Sequence, residues 1–179
     1  VITSEARVVS PISFTVLQPE SHLTAWQAVK AMEVHGITPA QIRRDGLEPE
    51  GAATRLAQWF GKVQRRHGVS EIRAYNQGFD FWFLERPPWD LFGRTELAKG
   101  EDIQLTAKRA MACKSRPRLA KAVSFANDSG GDIPWLSAAH RAGEDARMAA
   151  LVAIHFDSSP DQDAVVDQGA HDGVVHLKT

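Results

Sequence analysis

The chain has 179 residues, 43% hydrophobic and 24% charged, which suits one globular domain with a sizeable core. A formal net charge of -1 excludes a global basic field, so contact with nucleic acid would need a local cationic patch or bound metal ions. A single cysteine, Cys113, excludes an internal disulfide and fits a cytoplasmic setting. No apolar run approaches the roughly 18 residues needed to span a bilayer, and no signal peptide is evident.

Residues 7–19, RVVSPISFTVLQP, are β-branched and partly alternating, and predict one or two strands with a turn near Ser10-Pro11. From about Leu23 a helix is expected, with Trp26, Val29 and Ala31 on a buried face and Gly36 as its stop. Thr38 as N-cap and Pro39 at the first helical position predict a short helical turn. The clearest amphipathic helix follows in EPEGAATRLAQWFGKVQRRHG. Leu56, Trp59, Phe60 and Val63 line one side, and Arg55, Lys62, Arg65 and Arg66 the other.

VSEIRAY, residues 69–75, predicts a short buried internal strand, and QGFDFWFLE a helix after it. DIQLTAKRAMA predicts a helix capped by Asp102, and RPRLAKAVSFAN another, ended by the polar turn NDSGGDIP. SAAHRAGEDARMAALVAIHF predicts a long alanine-rich helix with Met148, Leu151, Val152 and Ile154 on its apolar face. The composition then turns acidic and aperiodic, which divides the chain into a domain over 1–157 and a mobile acidic tail over 158–179. Strands first, then alternating elements, then helices predict an α/β layered domain.

Two stretches carry chemical interest. In AYNQGFDFWFLERPPWD, Asp80 stands among Phe79, Phe81, Trp82 and Phe83, where a carboxylate is costly to desolvate without a hydrogen bond, cation or metal ion. A solvated acid at a helix N-terminus is the simpler alternative. Helical spacing argues that Phe81, Trp82 and Phe83 belong to the core. In HRAGEDARMAA, His140 and Asp145 are five apart. A histidine in the loop before the helix could then swing over an aspartate in its first turns, or both could serve the helix terminus.

Tyr75-Asn76 followed by Gly78-Phe79-Asp80 resembles the second motif of the DEDDh 3′→5′ exonucleases, the superfamily of proofreading exonucleases and ribonuclease T. HRAGEDA resembles the third motif, VHGIT (34–38) a further hallmark, and EDIQLTAKRA and RPRLAKAV the intervening segments. The resemblance covers roughly residues 7–156. It implies a ribonuclease-H-like fold, a mixed sheet flanked by helices around residues 51–66 and 141–155. It also implies hydrolysis of phosphodiester bonds at the 3′ end of single-stranded DNA or RNA by two Mg²⁺ or Mn²⁺ ions. Under it, Asp80 and Asp145 are metal ligands, His140 the general base, and Asn76, Phe79, His35 and Arg118 substrate contacts.

The family's Asp-x-Glu motif on the first strand is missing. The closest string, VITSEA, has Thr3 and Glu5 at those positions, and the first strand is expected either upstream of Val1 or lost. Weak metal binding and little cleavage are therefore expected. The alternative is a non-catalytic relative that binds nucleic acid or a polymerase-like partner; a homodimer is the other assembly considered. A third reading is a purely structural domain whose acids are caps. A basic run, Arg109, Lys114, Arg116, Arg118 and Lys121, offers phosphate contacts or a solvated face. His35 could equally be a structural turn residue, and Cys113 a small core residue.

Overall fold

The computed structural model describes residues 12–134 and 142–158. Of these, 61% are helical, in nine helices, and the only sheet among them has two strands. The ribonuclease-H-like mixed sheet expected from the sequence is therefore not formed among the described residues. Strand β1 (Glu71–Ile72) pairs in parallel with β2 (Ala98–Lys99), two residues each. The expected strand in VSEIRAY is thus present, but it is not internal to a larger sheet. The physical reason lies in its partners. The β-branched stretch after Pro11 makes one isolated bridge, Val16 to Leu47, with Leu17 N donating to the Leu47 carbonyl and Leu47 N to that of Thr15, both at 2.8 Å. Two such bonds align a loop without extending a sheet.

The first helices are α1 (Glu20–Leu23), α2 (Trp26–His35) and α3 (Pro39–Asp45). Arg43 of α3 pairs with Glu20 of α1. Thr38 caps α3 with Pro39 at its first position, as the sequence predicts, and Gln41 completes a reciprocal capping box. Gly46 ends α3 where a Cβ would lie 2.9 Å from Leu17 Cδ2 and closer still to the Ile42 carbonyl, so only glycine fits. The expected buried face of α2 is corrected: Trp26 is 69% and Val29 43% exposed, and Ala31 is exposed too. Among the described residues α2 meets the short α1, too small an element to cover a two-turn apolar stripe.

Helix α4 (Pro49–His67) is the expected amphipathic helix, with Ala52, Ala53 and Val63 buried and a left-handed Gly68 closing it. It packs on the short α6 (Leu91–Arg94). Between them in sequence lies α5 (Gln77–Leu84).

The main core is made by α7 (Ile103–Ala110), α8 (Leu119–Asp128) and α9 (Ala142–Asp157). Ala107, Ala122, Ala126 and Ala153 are fully buried; such small side chains allow α9 to seat closely on both neighbours, while Ile103, Val123, Met148, Val152 and Phe156 fill the space between. Of the four residues expected on the apolar face of α9, Met148 and Val152 are buried, and Leu151 and Ile154 are half-buried. The Asn127 side chain clasps the turn after α8, accepting from Ile133 N at 2.8 Å and donating to the Ile133 carbonyl at 2.9 Å. Arg73, just after β1, ties the sheet to this core by donating to the Glu101 carbonyl, to Thr106 and to Asp157 at the end of α9. The domain expected over 1–157 thus includes Asp157 in a structural contact. The tail over 158–179 lies outside the described residues except for Ser158, as do residues 1–11.

Phe156 sits fully inside this three-helix core. Phe156→Ala is expected to cost about 3–5 kcal/mol in urea unfolding. A loss below about 1 kcal/mol would show that the core does not depend on the packing described.

Candidate functional site

The site is built where the chain leaves β1 and enters α5. Asn76, in left-handed conformation (φ 64°, ψ 51°), turns the chain and occupies the N-cap position of α5. Asparagine tolerates this region better than most residues. The carbonyl of Asn76 accepts from Phe79 N at 2.9 Å, which sets the first turn carrying Gly78, Phe79 and Asp80.

One buried acid, Asp102, holds this turn in place. Its Oδ1 accepts from Asn76 N at 3.2 Å and from Gln104 N at 2.9 Å, so the same carboxylate caps α7 and fixes the entry to α5. Its Oδ2 meets Arg116 at 3.4 Å. The backbone adds a second tie, Ile103 N to the Ala74 carbonyl at 3.1 Å. A third runs to the loop before α8: the Tyr75 hydroxyl donates to the Pro117 carbonyl at 2.8 Å, and Gln104 Nε2 donates to the same oxygen at 3.0 Å. Burial, then the charges of Asp102 and Cys113, push the Tyr75 hydroxyl well above its ordinary value, so it remains a donor.

This clasp ties Arg116 and Pro117 to the turn that enters α5. Lys114 and Arg118 of the same loop are exposed and make no ion pair among the described residues, whereas Arg109 of the same basic run pairs with Glu101 and Arg116 with Asp102. Lys121 lies 3.8 Å from the half-buried Cys113 sulfur.

Asp80 is half-buried in the first turn of α5. Burial, and secondarily the charge of Asp102, hold its carboxyl above its ordinary value. The aromatic residues around it divide. Phe81 is buried and meets Phe92 edge-on at 5.2 Å. Trp82 and Phe83, expected in the core, are instead 54% and 47% exposed and join Phe79, itself 62% exposed. Phe79 and Phe83 touch edge-to-face at 5.3 Å, Phe83 and Trp82 at 4.8 Å, and the Arg86 guanidinium lies 3.7 Å from the centre of the Trp82 ring. An eight-residue helix with one covered side cannot bury four large rings, so three form an outward aromatic face.

The other residues expected at the site lie on other elements or play structural parts. Asp145 is half-buried in the first turn of α9. His35 ends α2 and accepts from Ile37 N through Nδ1 at 3.0 Å, a turn-stabilising contact. Arg118 is the N-cap residue of α8. His140 lies outside the described residues. Sequence reasoning identified Asp102 only as a cap; its effect on Asp80, 22 positions away, carries no local signal.

For the two metal ions implied by the family resemblance, the described residues gather no complete donor set. Asp102 is already engaged by two backbone N–H groups and Arg116, and among the described residues no three His, Cys, Asp or Glu side chains gather where they could hold an ion. Among the described residues no helix is long and apolar enough to cross a membrane.

Asp102→Ala removes a cap and orphans the Asn76 amide, and is expected to destabilise the fold by about 2–3 kcal/mol in urea unfolding; Asp102→Asn, which can still cap, should lose less. Equal, negligible losses for both would contradict the clasp. The folded pKa of Asp80 lies above its unfolded one. The folded chain binds this proton more tightly, and stability falls as pH rises through the interval between the two values. Asp80→Asn should therefore melt above the wild type at neutral pH and converge with it below the ordinary carboxylate range. A variant melting lower at neutral pH would contradict the burial of this charge.

Compared with known proteins, the chain matches no family model, and no curated protein or solved structure matches it significantly.

Proposed function

We propose that this chain binds single-stranded nucleic acid at the N-terminal end of α5. The observation that carries the reading is the exposed aromatic face of Phe79, Trp82 and Phe83 on α5, whose entry turn is tied through Tyr75 and Asp102 to the loop that carries the exposed cations Lys114 and Arg118. Aromatic rings offer stacking surfaces to unpaired bases, and neighbouring cations meet the phosphates. A base stacked within a duplex presents no open face to such rings, which favours a single strand or a strand end. DNA and RNA satisfy this chemistry equally.

A second reading, metal-dependent 3′→5′ hydrolysis, draws support from Asp80. An acid whose ionised form is disfavoured by burial and by a neighbouring carboxylate gains from a cation at the same place. In that reading Asp80 and Asp145 would contribute ligands to Mg²⁺ or Mn²⁺ and His140 would take the proton of the attacking water. The described residues do not complete such a site, so metal binding by this chain is expected to be weak and cleavage slight.

Fluorescence anisotropy with a labelled oligothymidylate carrying a free 3′-hydroxyl tests both. Wild type should bind, Phe79→Ala should weaken binding by about 1–3 kcal/mol, roughly 5- to 150-fold, and Lys114→Gln with Arg118→Gln should flatten its salt dependence. Binding unchanged in both variants would overturn the assignment. Added Mn²⁺ separates the readings: 3′ shortening that disappears in Asp80→Asn would establish the hydrolytic one, and an intact oligonucleotide leaves binding alone.

A further inference from the structure

Helix α4 carries a charge distribution unlike the rest of the chain. Its one acid, Glu50, is held by Arg94 at 2.6 Å. From residue 51 onward every ionised side chain of the helix is cationic: Arg55, Lys62, Arg65 and Arg66, all exposed and none in an ion pair among the described residues. Elsewhere among the described residues the exposed Arg43, Arg44, Arg109 and Arg116 each meet a carboxylate, while Arg86, Arg118 and Arg147 are exposed without an ion pair but do not share one helix. Four exposed cations without counter-charges on one helix repel each other at a net charge of -1 overall, so their segregation is not a by-product of composition.

Their arrangement is linear. At about 100° of rotation per residue, Arg55, Lys62 and Arg66 fall within about 40° of one another and span about 16 Å of helix axis. That length matches about five phosphates of a stacked strand at about 3.4 Å each. Beside this line lies an open groove of about 740 Å³ in which Thr54, Gln58 and the half-buried ring of Trp59 stand next to Arg55 and Lys62; Glu50, its charge met by Arg94, also lines it. A second hollow of about 380 Å³ continues it, shares Thr54 and Gln58, and adds Arg65 and Arg94.

We infer that the cationic face of α4 is a contact surface for the phosphate backbone of a single-stranded nucleic acid, separate from the α5 end. The groove supplies an aromatic ring and neutral hydrogen-bonding side chains alongside the cations, the combination that tracks a strand with unstacked bases. A membrane surface fits poorly. None of the large exposed hydrophobic residues lies on α4, and a helix that enters a bilayer interface needs an exposed apolar face opposite its cations. The inference rests on α4 alone and stands whether or not the α5 end binds.

The test is the salt dependence of oligothymidylate binding by the full chain, measured by anisotropy between about 50 and 200 mM salt. Arg55→Gln, Lys62→Gln and Arg66→Gln combined should lower the slope of log K against log salt by about 2, at about 0.7 for each phosphate no longer neutralised. Arg55→Lys with Arg66→Lys keeps the charges and should keep the slope, which separates a removed charge from a damaged fold. Phe79→Ala should weaken binding without changing the slope. A wild-type slope in the triple glutamine variant overturns the inference while leaving the α5 site standing. Failure of the wild-type chain to bind oligothymidylate overturns both. Polyglutamate competing as well as oligothymidylate, or anionic vesicles bound through the same three cations, overturns the assignment to nucleic acid.

Discussion

The structure depends on one buried carboxylate. Asp102 is 8% exposed and accepts from two backbone N–H groups that belong to different elements, the turn into α5 and the first turn of α7. A helix cap is ordinarily a local device. Here the capped helix belongs to the three-helix core, so whatever else the capping oxygen binds is anchored to the most rigid part of the molecule. The αL turn at Asn76, the direction of α5 and the position of the 114–118 loop all follow from that anchor. Arg116 offsets the charge from the solvent side at 3.4 Å, which makes a buried acid tolerable without neutralising it.

The consequence for the surface is a separation of roles on α5. One side of the helix is used by Phe81 against Phe92, near Lys99 of β2. The opposite side leaves Phe79, Trp82 and Phe83 about half exposed, where Phe83 meets both other rings edge-to-face and Arg86 stacks on Trp82. Such mutual contact lowers the penalty of exposure but leaves ring faces open, and an exposed aromatic cluster of this kind marks an interaction surface. The half-buried Asp80 within it is the one element of the site that disfavours an anionic ligand. A bound cation would reverse that opposition.

The helices were legible in the sequence because their signals are local. The Thr38-Pro39 start, the cap at Asp102, the glycine stop at Gly36 and the periodicity of α4 each act within one or two turns, and each appears in the structure. The sheet was not legible. β-Branched residues in 12–17 favour extended backbone, but whether an extended segment becomes a strand depends on partners far away, and among the described residues only β1 with β2 and the Val16–Leu47 bridge find them. Burial misled for the same reason. Trp26, Val29, Trp82 and Phe83 have helical spacing suited to a core, yet spacing shows only that residues share a face, not that another element covers it. At the site, Asp80 stood out by its aromatic neighbours and Asn76 through the family resemblance, while the coupling of Asp80 to Asp102 and the tie between the 114–118 loop and the α5 turn arise from tertiary contacts.

Whether the α5 end and the 114–118 loop together receive a single strand is tested most directly by amide and indole NMR chemical shifts, followed while an oligothymidylate is added to the chain. The amides of Phe79, Asp80, Lys114 and Arg118 and the Trp82 indole are predicted to shift together along one saturation curve, while the amides of Val152 and Phe156 in the core stay in place. Saturable binding that leaves those four amides and the Trp82 indole unmoved would contradict the account.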